Sequence, residues 1–302
     1  MNIISLMKDP YKYLIFLNAK SIKESEAKEI IYLKKLFKHR MHETLDLDTP
    51  KSFNQKIQWL KLYNRNPQYT NLVDKYEVKK YIEQKIGQGY TIPTLSVWNS
   101  IEDIDFNKLP DSFVLKCTHD SGGVIIFQDK SRFNIKKAEA KLKRYLKRNF
   151  YITSREWPYK NVKPRIIAEP YMMDASGSEL KDYKFMCFNG KVKCLFTCTD
   201  RYAQDGLKVT FFDTDWNRLP FERHYPSDPQ FIEKPHSFKQ MIDLSEKLSK
   251  NIPFVRVDFY EIDNKPYFGE MTFYPGSGME EFTPRKWDDI LGDWIELPEK
   301  QR

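Results

Sequence analysis

The segment PFVRVDFYEIDNKPYFGEMTFYPGSG (253–278) divides into two strand-like runs around Asp263-Asn264, a turn pair. Side chains alternate between the faces of a strand. Arg256 and Asp258 therefore share one face of the first run, and Glu270 and Thr272 share one face of the second. The opposite positions, Val255, Val257, Phe259, Met271 and Phe273, are apolar. A hairpin built this way sets two carboxylates side by side with a guanidinium one step away. Carboxylates held together in a partly buried place repel each other. A divalent cation with a preference for hard oxygens, such as Mg²⁺, relieves that repulsion. A surface hairpin with ordinary solvated charges is the competing reading. Against it, the acids interrupt very apolar text and lead into Pro275-Gly276-Ser277-Gly278, whose backbone N–H groups a loop exposes.

Three further segments read as strands that deliver polar groups. FVLKCTHDSGGVIIF (113–127) brings Lys116 to a turn containing His119, Ser121, Gly122 and Gly123. Paired glycines let such a hairpin close over an anion, and a lysine supplies a point charge for phosphate. A plain β-turn explains the same text. RIIAEPYM (165–172) leads apolar strand text to Glu169, after which Pro170 interrupts the ladder. Such an edge offers backbone groups to an adenine ring, and Glu169 can accept from its amino group. In LKDYKFMCFNGKVKCLFTCT (180–199), Asn189-Gly190 is a strong hairpin signal. Lys184 sits mid-strand there and needs a carboxylate, for which Asp182 is available, or a bound phosphate.

The chain has 302 residues, 40% apolar and 30% charged, with 11 Gly and 17 Pro, which excludes a disordered or collagen-like chain. About three quarters of the surface of such a chain is buried on folding, enough for one large domain or two closely joined ones. Fifty basic against 42 acidic residues give +8, favouring anionic partners. Much of the excess lies in KKAEAKLKRYLKR (136–148), read here as a solvated helix face rather than a nucleic-acid surface, since no aromatic stacking platform accompanies it. The four cysteines (117, 187, 194, 198) lie in strand-like text and are expected to be reduced, as in the cytoplasm. No Walker loop, dinucleotide glycine motif, zinc-ligand spacing or nucleophile elbow is present.

Helices are expected near the amino terminus in YKYLIFLNAK, over 25–39, from a cap at Ser52, and from near Asp74. From residue 90, strands are expected at 94–98, 112–118, 122–128, 165–172, 182–188, 191–198, 207–213, 253–262 and 265–273, with helices at 134–148 and 237–250, the latter capped by Ser237. Residues 216–237 read as an open, proline-rich connection. The pattern is α+β, not the regular alternation of a doubly wound sheet.

The order of these pieces resembles an ATP-grasp enzyme, and more closely the TupA-like ATP-grasp family of surface-polysaccharide and teichuronopeptide contexts. The matching text is SFNQKIQWLKLY (52–63), DKYEVKKYI (74–82), FVLKCTHDSGG (113–123), RIIAEPYM (165–172), DYKFMCFNGKV (182–192) and VRVDFYEIDNKPYFGEMTFYPGSG (255–278). The resemblance implies an ATP-grasp-like fold, with antiparallel and mixed sheets forming a nucleotide cleft. It implies a helical region 1–72, a first subdomain 73–165 and a second 166–302. Lys116 would contact ATP phosphates beneath Ser121, Gly122 and Gly123, with Lys75 and Lys79 as further phosphate contacts. Glu169 and Tyr171 would lie on the adenine side and Asp174 toward the ribose. Lys184 would reach phosphate or substrate. Asp258 and Glu270 would hold Mg²⁺, with Thr272 as a weaker third member, and Arg256 would face the transferred phosphate.

The activity implied is a Mg-dependent carboxylate–amine ligase that uses ATP and an acyl phosphate, acting in surface-polysaccharide biosynthesis on a glycan or lipid-linked saccharide. A sugar-nucleotide glycosyltransferase, phosphorylation of a glycan hydroxyl and a non-catalytic assembly scaffold remain open alternatives. No run suits a membrane span, and YLIFL (13–17) is too short for a secretory signal, so a cytoplasmic protein is expected. Tyr11, Lys12, Tyr13 and Phe16 suggest a peripheral contact at the inner membrane face.

Overall fold

A computed structural model describes residues 25–174, 180–199 and 206–300. The expected first helix and the four residues of the membrane hypothesis lie outside them. Helix α1 (Glu26–Met41) buries Tyr32, Leu33, Phe37 and Met41 on one stripe. Ile31, next to Tyr32, is turned to solvent instead. Helix α2 (Phe53–Tyr63) begins where expected, with the Ser52 hydroxyl accepting from Gln55 N. Helix α3 (Gln68–Val73) leads to α4 (Glu77–Ile86), whose first turn is held by Asp74 accepting from the amides of Tyr76 and Glu77.

Strands β1 (Ser96–Trp98), β2 (Phe113–Cys117), β3 (Val124–Phe127) and β4 (Ile166–Pro170) form an antiparallel sheet in the order β1-β4-β2-β3. Helix α5 (Ile135–Leu146) covers one face through Ala138 and Leu142 and leaves its lysine-rich side to solvent. The short helix α6 (Phe150–Ser154) follows. The expected boundary at 165/166 falls just before β4, which hydrogen-bonds into this first sheet.

The second sheet has five antiparallel strands in the order β10-β9-β5-β6-β7. They are β5 (Asp182–Phe188), β6 (Lys191–Thr199), β7 (Lys208–Phe212), β9 (Phe254–Ile262) and β10 (Lys265–Thr272). Helix α7 (Phe238–Ser249) packs on it, and its apolar core is continuous with α1 to α4. The architecture is α+β.

Two expectations fail. Ser237 makes no cap bond; its hydroxyl and amide both donate to Glu261, a partner 24 residues away that local text does not reveal. The 216–237 connection is not open. Phe221, Arg223, Asp228 and Ile232 are buried, and Phe221 stacks on Trp287 at 4.5 Å. Its strand β8 (Glu222–Arg223) pairs with β11 (Phe282–Thr283), next to helix α8 (Lys286–Asp293). Among the described residues no helix is long and apolar enough to cross a membrane.

Candidate active site

One row across the second sheet carries the expected charges. Glu270 lies opposite Asp258, and Asp258 lies opposite Lys184. Lys184 Nζ is 2.6 Å from Asp258 Oδ2 and 3.4 Å from Asp182 Oδ2, so its principal partner is the acid on the neighbouring strand. Arg256 grips Asp258 in a fork, with Nε and Nη2 each 2.7 Å from a carboxylate oxygen. Its Nη2 also donates to Glu270 Oε1 at 2.8 Å, and the Thr272 hydroxyl donates to the same oxygen at 3.1 Å. Burial pushes the Glu270 carboxyl upward, but Arg256, then Lys75 and Lys184, outweigh it and hold the group down at about 2. For Lys184, burial lowers the ammonium, and Asp258, Asp182 and Glu270 together more than restore it.

Gly269 shapes this row. The ladder shifts register between Phe268 and Glu270, a bulge that aims the carboxylate. A Cβ at Gly269 would lie 3.2 Å from the Asp258 carbonyl oxygen. The sequence reading missed this residue, although a glycine inside strand text is itself a bulge signal.

The first sheet supplies the facing wall. Glu169 is buried and answers two ammonium groups: Lys116, 2.5 Å from Oε2, and Lys79 on Oε1. Lys79 also donates to the Ile92 carbonyl and the Thr94 hydroxyl, each at 2.7 Å. Burial drives the Glu169 carboxyl up, and the two lysines bring it below its ordinary value. Its oxygens are thus committed to lysines rather than held free for an adenine amino group.

A cavity of about 990 Å³ lies between the walls, lined by Lys79, Lys116, Glu169, Lys184, Asp258 and Glu270, with Lys75 and Tyr171 also on its surface. Ser121, Gly122 and Gly123 do not line it; Val124 and Ile126 represent that hairpin. The turn is drawn toward α5 instead. Asp120 pairs with Arg148 at 3.2 Å, and a Cβ on Gly123 would meet Cys117 Cβ at 2.8 Å and Tyr145 Cβ at 3.3 Å. Arg256 and Thr272 stand behind the lining carboxylates. Asp174 is not a lining residue: its Oδ2 accepts from the Asp263 amide at the β9–β10 turn, 3.1 Å away. Tyr171 Oη accepts from Gln128 Nε2 at 3.0 Å.

The lysines fit a polyphosphate, and the volume fits a nucleotide. Asp258 and Glu270 are a hard-oxygen pair of the kind that holds Mg²⁺. Among the described residues no group of three His, Cys, Asp or Glu side chains is arranged for a metal.

Behind the hairpin, α2 reaches the loop that follows β10. Lys61 is fully buried, and its Nζ bonds to Ser277 O at 2.8 Å, Ser277 Oγ at 2.7 Å and Ser154 O at 3.0 Å. Gln58 Nε2 donates to the carbonyls of Ser277 and Gly278 at 2.9 and 2.8 Å. Gly276, Ser277 and Gly278 all have positive φ, which the side chain of Ser277 makes costly without such support. Burial lowers the Lys61 ammonium and raises the nearby Glu156 carboxyl, and each opposes the other's shift.

No curated protein sequence matches the chain. Solved structures that match include D-alanine–D-alanine ligase from Bacillus anthracis in complex with ATP, at 19% identity and a TM-score of 0.44, over 74% of this chain and 64% of that one. The D-alanine–D-alanine ligase of Helicobacter pylori matches at 15% identity and 0.44, over 74% and 63%. The L-amino acid ligase of Bacillus licheniformis matches at 15% and 0.44, over 74% and 49%. The chain thus spans less than two thirds of the length of each of these structures. A family model described as TupA-like ATPgrasp matches residues 55–296. The chain belongs to the TupA-like ATP-grasp family.

Proposed function

We propose that the chain is an ATP- and Mg-dependent carboxylate–amine ligase. The observation that carries this reading is one cavity walled by Lys79 and Lys116 on the first sheet and by Lys184, Asp258 and Glu270 on the second. Lys79, Lys116 and Lys184 would bind the phosphates of ATP, with Lys75 nearby, and Val124 and Ile126 would lie over the nucleotide. Asp258 and Glu270 would hold Mg²⁺, with Thr272 orienting Glu270. ATP would supply a transferable phosphoryl group, and Mg²⁺ held by Asp258 and Glu270 would supply charge neutralisation there. Arg256 holds both acids in place from behind the cavity wall. A substrate carboxylate oxygen attacks the γ-phosphorus and ADP departs. An amine then attacks the acyl carbon of the resulting acyl phosphate, and inorganic phosphate leaves. Family membership supports a surface-polysaccharide setting, in which the acid is a sugar acid or an amino acid joined to a glycan.

Calorimetry with ATP and Mg²⁺, followed by phosphate release across pairs of acids and amines, tests the reading. The expected outcome is ATP binding, and phosphate release only when an acid and an amine are both present. Asp258→Ala and Glu270→Ala each lower turnover by about a hundredfold or more. Absence of ATP binding returns the scaffold reading, and near-normal turnover in both variants removes the metal assignment.

A further inference from the structure

The excess positive charge of the chain lies in one place. Residues 130–148 hold nine Lys and Arg against the single acid Glu139, so they account for the whole excess of 50 basic over 42 acidic residues, and the rest of the chain is balanced. They form the lead into α5, the helix itself and the two residues after it. Only part of this charge is answered. Arg132 pairs with Asp129 at 3.0 Å, Lys143 with Glu102 at 2.7 Å and Arg148 with Asp120 at 3.2 Å. Lys136, Lys137, Arg144 and Lys147 are exposed and make no ion pair with the described residues. Lys137 and Lys141, and Arg144 and Arg148, are like charges four residues apart, an arrangement that costs helix stability. An anionic partner relieves that repulsion.

The fold gives this surface a direction. Ala138 and Leu142 pack with Leu115 and Phe127 on one face of the first sheet, and Val114, Lys116, Val124 and Ile126 line the cavity on the other. Strand β3 is the edge between these faces. Lys141 reaches that edge from the helix side and donates to the Val124 carbonyl at 2.9 Å. Arg132, Phe133 and Met173 line the cavity at its rim. Phe133 is 39% exposed and Met173 59%. Unanswered cations and exposed apolar side chains therefore border the same opening.

We propose that α5 and the adjoining rim dock on an anionic lipid surface. The helix is about 18 Å long and stands outward from the sheet. Its cations are spread over a convex rod, a shape that meets a plane and offers no groove to a threadlike acidic polymer. Each Lys or Arg near an anionic membrane strengthens binding about fivefold. Phe133 and Met173 add apolar groups that enter the headgroup boundary, which an acidic sugar chain or a nucleic acid backbone would leave unused. Docking by this face sets the cavity mouth beside the membrane. Taken with the ligase reading above, it assigns an acceptor carried on that surface.

The test is flotation of the full chain, without nucleotide, on phosphatidylcholine vesicles with and without phosphatidylglycerol, at low and high salt. The expected result is binding only where phosphatidylglycerol is present, weakened by salt. Replacing Lys136, Lys137, Arg144 and Lys147 together by Gln lowers it by about a hundredfold or more, with Tm unchanged. Phe133→Ser lowers it a few fold and leaves the salt dependence as it was. Equal binding to both kinds of vesicle, or wild-type binding by the fourfold variant, overturns the proposal. Preference for soluble polygalacturonate or duplex DNA over the vesicles at equal anion concentration assigns the face to a polyanion and overturns the lipid occupant. Should the fourfold variant not fold, Lys136→Glu and Lys147→Glu decide singly, wild-type binding in both counting against the proposal. Failure of ATP binding would strike the ligase reading instead, because the vesicle arm contains no nucleotide.

Discussion

Glu270 keeps its charge through its neighbours, with Arg256 first among them, and this makes acid a selective probe of the site. Its carboxyl falls from 4.5 to about 2 on folding. A carboxyl with a depressed folded pKa adds stability that is fully present above the unfolded value and fades as pH falls through the folded one. Denaturant melts of the wild type should therefore lose stability between about pH 4.5 and pH 2 in excess of Glu270→Gln. Parallel losses would show that the carboxylate is not ionically held. Asp258 and Glu270 were legible in the text because strand alternation sorts residues onto faces without long-range knowledge. Lys61 was not, since a lysine inside QWLKLY looks like any solvated helix residue until Ser277 and Ser154 are folded against it. Arg223 was hidden for another reason: its connection has no period, and only Phe196 and Phe211 of the neighbouring sheet give it a place.

The β9–β10 hairpin is the element on which the chemistry rests, and its bulge is its sensitive point. Gly269→Ala would press a methyl group against the Asp258 carbonyl at 3.2 Å, so the strands must part or the bulge must shift. The expected outcome is a loss of about tenfold in kcat/KM, about 1.4 kcal/mol, with a smaller effect on Tm. Steady-state kinetics beside a melting curve check it, and a change in Tm alone would count against an aiming role. Most strands of both sheets were readable from alternation and from turns such as Asn189-Gly190. Strands β8 and β11 were not, because two-residue pairings leave no pattern, and the Ser121-Gly122-Gly123 turn was assigned a place in the cleft that only Val124 and Ile126 of that hairpin take, the turn itself packing toward Tyr145.

The molecule joins its amino-terminal helices to its site through Lys61. Lys61→Met removes the donor that holds Ser277 and leaves Glu156 buried without its cation. Removing one of two opposite buried charges that stabilise each other leaves the other uncompensated, at about 3–5 kcal/mol, whereas replacing both is far milder. Lys61→Met is therefore expected to destabilise strongly in urea, and Lys61→Met combined with Glu156→Gln to recover a large part of the loss. A double variant no better than the single one would show that the two groups are not coupled. The sequence reading identified the helices but gave Lys61 no partner, since nothing local in residues 53–63 announces one more than 200 positions away.

That bond also bears on descent. Helix α2 and the turn at 275–278 are far apart in the chain but meet as lock and key. Any recombinant that exchanges the front of this protein for that of a relative must bring residues 58, 61 and 277 from the same parent, or the graft will misplace the loop beside the hairpin even when both halves fold.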